Sequence, residues 1–164
     1  MALDPSFYPA FKTDIQADPA FASLPHNSDG AFIIADAYNK QATPAFTVWR
    51  SSVTTGQVGG TWLQSDVANL TTANTNRLGI MEQYSAGAFN PSKSDVRQSF
   101  NDIFSVASAS GTRAALLVLW KRLATRAEKL FADLTNGNGT DATPATMKFE
   151  GSITISDVLA TMGW

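Results

Sequence analysis

The amino-acid sequence predicts an α-rich fold with a minor β component: a single compact helical domain of about six short helices, with a C-terminal β-strand or hairpin element. Two observations lead to this fold class. Apolar residues recur at the spacing of amphipathic helices through most of the chain, and residues that cap helices precede several of these stretches. A clean alternation of apolar and polar residues, which is typical of a strand, occurs only at residues 147–155. We expect one domain that spans residues 1–164.

The composition limits the classes of protein to which this chain can belong. Charged residues make up 16% of it, against about a quarter in an average protein. The formal net charge of −2 gives no general attraction to nucleic acid or to anionic membranes. Cysteine is absent, which excludes disulfides, thiolate catalysis and cysteine-ligated metals. So few charges suit a surface that neighbouring proteins cover, although a low-charge monomer is the alternative.

Short helices are predicted in the first third of the chain. Apolar residues from Phe7 to Ile15 follow helical spacing, and Asp18 before Pro19 has the form of an N-cap that starts a further turn. Residues 25–30 form a loop with several possible caps, and residues 31–38 follow as a short, mostly apolar helix. Residues 45–53 favour a strand by propensity, but their alternation is imperfect.

The middle of the chain predicts a flexible link and then two capped helices. The link is the glycine-rich stretch at residues 56–60. Thr71 can cap a helix that ends near Tyr84, and we expect this helix to bury Ala73, Ile80, Met81 and Tyr84. Residues 92–95 have the form of a capping box. The helix after it carries an amphipathic stripe of Val96, Phe100, Ile103, Phe104 and Ala107.

The next two helices have stronger sequence signals. Residues 114–120 are apolar on every side, so we expect the most buried helix of the domain there, with Leu117 in the core. Thr125 and Glu128 have the spacing of a capping box, in which Thr125 caps the following helix. That helix should turn inward Ala127, Leu130, Phe131 and Leu134. Ser156 can cap a final turn or two that ends at Gly163.

The alternation at residues 147–155 predicts a strand with one face meant for burial. A lone strand leaves its backbone groups unpaired, so it should pair with a second strand of the chain or with another copy. The apolar segment after it ends in a tryptophan. We therefore expect residues 147–164 to contact other subunits, with the candidate contact residues Phe149, Ile153, Ile155, Leu159 and Trp164.

No arrangement of residues in the sequence indicates catalysis. His26 is the only histidine, and it lies in a polar loop without a nucleophile motif nearby, so we expect a surface or capping residue. Glu128 belongs to a capping box, and Asp95 and Asp102 have polar neighbours that indicate solvated carboxylates. The glycines at 56–60 lack the lysine of a phosphate-binding loop. We expect no enzyme activity, no catalytic residue, no cofactor and no metal site.

Five of the twelve basic residues lie within seventeen positions: Arg113, Lys121, Arg122, Arg126 and Lys129. The simplest interpretation places them on solvated helix surfaces, where cations near a helix C-terminus are stabilised by the helix dipole. A second interpretation uses Arg122 and Arg126 in salt bridges to a partner protein, and we include both among the candidate contact residues. Direct contact with DNA is the least favoured interpretation.

Several segments together resemble a family of small proteins encoded by tailed bacteriophages and prophages. The strongest match is residues 121–131, which contain the helix-cap motif around Thr125. The other matching segments are residues 27–32, 44–50, 90–92 with 96–97, 112–114 and 149–152. The resemblance covers nearly the whole chain from about residue 14, apart from residues 56–70. It implies a component of the virion or a factor in its morphogenesis, and the family carries no catalytic motif.

We therefore expect a virion structural protein that forms a ring of identical copies in the head–tail connector, the neck or the tail. Its partners would be further copies of itself and other virion proteins, such as portal, connector or tail proteins. It would be made in the cytoplasm of the host bacterium and located in the virion. No stretch of about 20 apolar residues is present, so no membrane partner is expected. The alternatives are a capsid decoration protein or a non-virion factor, such as an assembly chaperone or a host-directed binding protein.

Overall fold

The computed structural model describes residues 3–105 and 110–164. Helices account for 54% of the chain, and the strands form only small two-stranded sheets. The prediction of an α-rich fold with a minor β component is therefore confirmed. The described residues contain more helices than the six expected, because the segments around Gln57 and Val67 each fold as a separate helix of five residues.

The helices follow one another through the described part of the chain. In chain order they are α1 (Tyr8–Ala17), α2 (Ser28–Asn39), α3 (Thr55–Gly59), α4 (Gln64–Ala68), α5 (Thr72–Tyr84), α6 (Ser94–Ile103), α7 (Ser110–Trp120), α8 (Arg126–Leu130) and α9 (Ile155–Met162). Two 3-10 turns, at Pro5–Phe7 and Pro19–Phe21, lie before and after α1. Asp18 caps the second turn by accepting a hydrogen bond from the Ala20 amide, as its place before Pro19 predicts.

The strands are two or three residues long and pair within the chain. They are β1 (Thr47–Trp49), β2 (Val53–Thr54), β3 (Ala88–Phe89), β4 (Lys121–Leu123), β5 (Ala132–Asp133) and β6 (Thr146–Met147). β1 pairs with β4, β2 with β3 and β5 with β6. The last two pairs are antiparallel, with Val53 opposite Phe89 and Ala132 opposite Met147.

The chain divides into two compact units, where the sequence predicts one domain. The terminal unit consists of Met1–Val48 and Leu123–Trp164, and the central unit is Trp49–Arg122. The chain thus passes from one unit to the other within β1 and again within β4. Each unit has its own hydrophobic core.

The core of the terminal unit is rich in aromatic rings. Phe11 packs edge-on against Tyr38, with ring centroids 4.8 Å apart, and Phe131 packs edge-on against Phe149 at 5.7 Å. Both chain ends contribute to this core, since α1 and α2 come from the first segment while α8 and α9 come from the second. A smaller cluster of the same unit contains Ala42, Phe46, Val48, Ala124 and Ala145.

The core of the central unit lies under α6 and α7. The rings of Phe89 and Trp120 both contact the ring of Phe100, at centroid distances of 5.1 and 5.3 Å. Phe100, Ile103 and Phe104 are buried, as the predicted stripe of α6 requires. Ala107, the last residue of that stripe, lies outside the described residues.

Two of the predicted caps are confirmed with their hydrogen bonds. Thr125 accepts from the Glu128 amide at 3.2 Å, and the Glu128 carboxylate accepts from the Thr125 amide at 2.9 Å. This reciprocal pair is a capping box, and it accounts for the burial of Glu128. Thr71 caps α5 by accepting from the Asn74 amide.

The predicted box at residues 92–95 is wrong, because α6 begins only at Ser94 and its N-cap residue, Lys93, makes no side-chain cap bond. The predicted link at residues 56–60 is also wrong, because Thr54 and Gln57 form a capping box that starts α3 there. The last helix is capped by Thr154 and not by Ser156, since the hydroxyl of Thr154 accepts from the Asp157 amide at 3.2 Å.

Three predictions of buried helix faces are corrected. In α5 the buried residue is Leu78, whereas Ile80 is 56% exposed and Tyr84 is 80% exposed. In α7 only one side is buried, by Thr112, Leu116 and Trp120, while Val118 is 74% exposed. An apolar sequence does not by itself reveal which side of a helix meets the core. The prediction that residues 114–120 form the most buried helix is therefore wrong. Leu134 lies beyond α8 and is exposed.

The nine-residue strand predicted at 147–155 is also wrong. Only Thr146 and Met147 form strand β6, and they pair with β5 of the same chain. The chain then bends at Gly151, whose φ of +146° is a conformation that side-chain-bearing residues rarely adopt. Helix α9 already begins at Ile155. The alternation correctly indicates the burial of Phe149 and Ile153, which are 5% and 2% exposed, but not the secondary structure.

Candidate subunit-contact site

The backbone of Ile153 finds its partner within the chain, so the segment after β6 does not require another copy. The side-chain amide of Asn39, at the end of α2, donates to the Ile153 carbonyl at 2.8 Å. Its oxygen accepts from the Ile153 amide at 2.7 Å. One side chain therefore supplies the donor and the acceptor that a neighbouring strand would offer.

The structure separates the candidate contact residues of the C-terminal segment into buried and accessible ones. Phe149 and Ile153 belong to the core of the terminal unit, so their side chains cannot contact a partner in this fold. Leu159 is partly buried against the same core. Ile155 is 38% exposed in the first turn of α9. Trp164 is half-buried and stacks on His26, with ring centroids 4.6 Å apart and ring planes 11° apart.

Arg126 binds carboxylates of its own chain. Its guanidinium donates to Asp18 at 2.6 Å and to Asp14 at 2.9 Å. The same group lies over the ring of Tyr38, 4.3 Å from the centroid. These ion pairs of Arg126 lie within the chain and join α8 to α1 and to the turn at Pro19–Phe21, whereas the sequence suggested a salt bridge to a partner protein. Arg122 lies half-buried in β4.

The electrostatics of this cluster follow from its geometry. The hydrogen bond from Arg126 holds the pKa of the Asp18 carboxyl below its ordinary value. Burial raises the pKa of the Tyr38 hydroxyl, and the hydrogen bond that this hydroxyl donates to Asp14 adds to the rise. The cluster thus holds an ionised carboxylate next to a cation and keeps the tyrosine protonated, an arrangement that stabilises the terminal unit.

The histidine lies beside an open cavity without forming a catalytic arrangement. His26 is exposed, as predicted, and the cavity of about 540 Å³ next to it is also lined by Lys12, Gln16 and Trp164. The described residues that line it include no carboxylate, serine or threonine. A histidine acting as general base needs a nucleophile within hydrogen-bonding reach and a group that orients the ring. Residues 3–105 and 110–164 contain no group of three or more potential ligands placed to hold a metal ion.

Among the described residues, exposed large apolar side chains that are adjacent in sequence occur on α2 and on α7. On α2, Phe32 is 59% exposed and Ile33 is 45% exposed. On α7, Leu117 is 36% exposed and Val118 is 74% exposed. Single exposed apolar residues are common, but adjacent large ones on a regular helix are typical of surfaces that meet another protein. These two pairs are the best candidates for subunit contact, and Ile155 is the accessible one of the three candidates at residues 147–155.

The sequence pattern does not single out the exposed pairs on α2 and α7, for a physical reason. Residues 31–38 are mostly apolar and residues 114–120 are apolar on every side, so the sequence does not reveal which side of each helix is exposed. A helix can equally bury one side in its own unit and present the other side to a partner. The sequence signal for an exposed apolar side is that each segment contains more apolar residues than one core-facing side of a helix can hold.

Comparisons with known proteins do not assign the chain to a family. No protein-family model, curated protein sequence or solved structure matches it. In the described part of the chain, no helix is both long enough and apolar enough to cross a membrane. The resemblance to phage proteins therefore stays a prediction.

Proposed function

We propose that the protein is a structural subunit of a tailed-bacteriophage virion and forms a ring of identical copies in the head–tail connector, the neck or the tail. The observation that carries the proposal is the presence of adjacent exposed apolar side chains on two different helices, Phe32 with Ile33 on α2 and Leu117 with Val118 on α7. A ring subunit needs two such surfaces, because it has a neighbour on each side.

The composition supports an assembled state. With 16% charged residues, the surface has few of the charges that keep a small monomer soluble. Burial of exposed apolar side chains between subunits removes apolar surface from water, and this burial is the driving force of association. The sequence resemblance to phage and prophage proteins gives the biological setting, since virions are built from many copies of small subunits.

The arrangement of ionisable groups favours a structural role over catalysis. The most closely packed ionisable cluster, around Arg126, is satisfied by its own carboxylates. Its members hold α1, α2 and α8 together and do not line up a nucleophile with a base. Such a network holds these helices of the terminal unit in fixed positions relative to one another, which suits a structural role.

Mass spectrometry of purified particles tests the proposal. For the phage or induced prophage that encodes this chain, we expect the protein in purified virions at a constant ratio to the major capsid protein and far below it in copy number. A copy number close to that of the capsid protein would instead indicate a decoration protein. Absence from virions, with the protein present in the producing cells, would refute a virion role and favour the non-virion alternative.

A further inference from the structure

The exposed side of α2 is apolar at its centre and acidic at its edges. We define the α2 face as Asp29, Phe32, Ile33 and Asp36, all of which are exposed. Each aspartate lies three or four positions from Phe32 and from Ile33, so the four residues share one side of the helix. The two aspartates are the only charged residues of α2. Asp36 pairs with Lys40 at 2.6 Å, but both side chains are more than half exposed, so water screens this pair. The Asp29 carboxylate makes no ion pair with a described residue.

The exposed side of α7 is also apolar, and its charge is opposite. We define the α7 face as Ala114, Leu117 and Val118, which lie away from the buried residues Thr112, Leu116 and Trp120, together with Arg113 at its edge. Arg113 is the only charged residue of α7. It is half-buried, and it has no ion-pair partner among the residues that the structure describes. An apolar centre with a basic edge is the complement of the α2 face.

We propose that the α2 face of one copy docks on the α7 face of the next copy, with Phe32 and Ile33 against Leu117 and Val118 and with Arg113 beside one of the two aspartates. This inference rests on the proposed function, because it names the contact through which the ring is built. The two faces differ, so each copy keeps one free face after docking, and the chain of copies grows head to tail until it closes.

Charge favours this pairing over the two symmetric ones. Two α2 faces in contact would bring four carboxylates together, and two α7 faces would place one arginine against another. Like charges brought together at an interface cost binding free energy and exclude that pairing. Contact between the α2 and α7 faces brings opposite charges together and buries both apolar centres.

Two variants of the full chain, each with one face disabled, test the pairing in solution. Phe32→Asp disables the α2 face and leaves the α7 face intact, whereas Val118→Asp does the reverse. Both residues are mostly exposed, so both variants should fold, as circular dichroism and thermal melting will show. In analytical ultracentrifugation we expect oligomers for the unmodified protein and the 17.5 kDa monomer for each variant alone. An equimolar mixture should give a heterodimer of twice that mass that grows no further.

Disulfide trapping identifies the contact independently, because the chain contains no cysteine. Ile33→Cys and Leu117→Cys variants should form a cross-linked dimer when mixed under mild oxidation, and neither should do so alone. Exposed Ser156→Cys, in place of Leu117→Cys, is the control and should form no dimer with Ile33→Cys.

The outcomes separate the inference from the function on which it rests. A mixture of the two disabled variants that stays monomeric, or an unmodified protein that is monomeric at every concentration, overturns the docking of α2 on α7. Detection of the protein in virions would leave the proposed function standing in that case. A heterodimer from the mixture, together with absence from virions, would support the docking and refute the virion role.

Discussion

The side chain of Asn39 and the backbone of Ile153 form two hydrogen bonds in opposite directions, across 114 positions of the sequence. Asn39 ends α2, and Ile153 precedes α9. The amide of one side chain thus substitutes for a neighbouring strand and fixes the segment between β6 and α9 to the terminal unit. The apolar side chain of Ile153 is held in the core as a result.

Replacing Asn39 by alanine should destabilise the terminal unit by about 2 kcal/mol, because two partly buried backbone groups lose their partners. Urea-induced unfolding of the full chain, monitored by circular dichroism, measures the change. Asn136→Ala is the matched control in the same unit, where the exposed side chain makes no bond with a described residue, and it should change stability by less than about 0.5 kcal/mol. Equal stability of the two variants would contradict the role of Asn39.

Gly139 should be far more sensitive to substitution than Gly163, although both have a left-handed backbone, with φ of +78° and +76°. A Cβ atom on Gly139 would lie 1.9 Å from the Phe46 ring, whereas a Cβ on Gly163 meets no heavy atom within 4 Å. We expect Gly163→Ala to cost about 1 kcal/mol from backbone strain alone. Gly139→Ala should cost about 3 kcal/mol or more, because the ring must also move. Similar urea midpoints for the two variants would refute this close contact.

The bond between Arg126 and Asp18 should make stability depend on pH in the acid range. The pKa of Asp18 is lower in the folded protein than its ordinary value of 3.8. Its contribution is therefore complete above that value and is lost as the pH falls through the folded pKa. Asp18→Asn, which does not titrate, should be less stable than the unmodified protein by about 1 kcal/mol at neutral pH, since the pair is partly exposed.

The difference between Asp18→Asn and the unmodified protein should shrink as unfolding is measured at successively lower pH below about 4. The control repeats the comparison in an Arg126→Gln background, where the pH dependence of the difference should become smaller and only the part due to the hydrogen bond from the Ala20 amide should remain. A difference that stays constant down to pH 2 would show that Arg126 does not set the titration of Asp18.

Two substitutions two positions apart in α7 should have opposite outcomes. Leu116 is 1% exposed and packs in the core of the central unit, so Leu116→Asp buries an unpaired carboxylate and should abolish the folding of that unit. Val118 is 74% exposed, and Val118→Asp should leave stability within about 0.5 kcal/mol. Tryptophan fluorescence and near-ultraviolet circular dichroism report on the central unit, which contains Trp49, Trp62 and Trp120. Loss of folding in both variants would place both sides of α7 in the core.

Sequence reasoning succeeded where the determining interactions are local. The caps at Asp18, Thr71 and Thr125 each depend on hydrogen bonds between residues two or three positions apart, so the order of residues is enough to predict them. The burial of Phe100, Ile103 and Phe104 could also be predicted, because α6 is strongly amphipathic and one of its sides meets the core.

The failures occurred where distant parts of the chain decide the outcome. The alternation around Phe149 predicted a strand, but Asn39 supplies the pairing and Gly151 bends the backbone. Leu117 was assigned to the core, although the neighbouring Leu116 takes that position. The partners of Arg126 lie more than a hundred positions away, so no spacing rule could identify them.

The inserted position of the central unit has a consequence for biosynthesis. A ribosome completes Trp49–Arg122 before it makes any residue after Leu123, so the central unit can fold on the nascent chain. The terminal unit has to wait, because α1 and α2 lack α8 and α9 until residues 126–162 have been made. During that interval Phe11 and Tyr38 are without Phe131 and Arg126 as partners. We expect α1 and α2 to be the part of the newly made protein that a chaperone binds, and their release to depend on the arrival of α8.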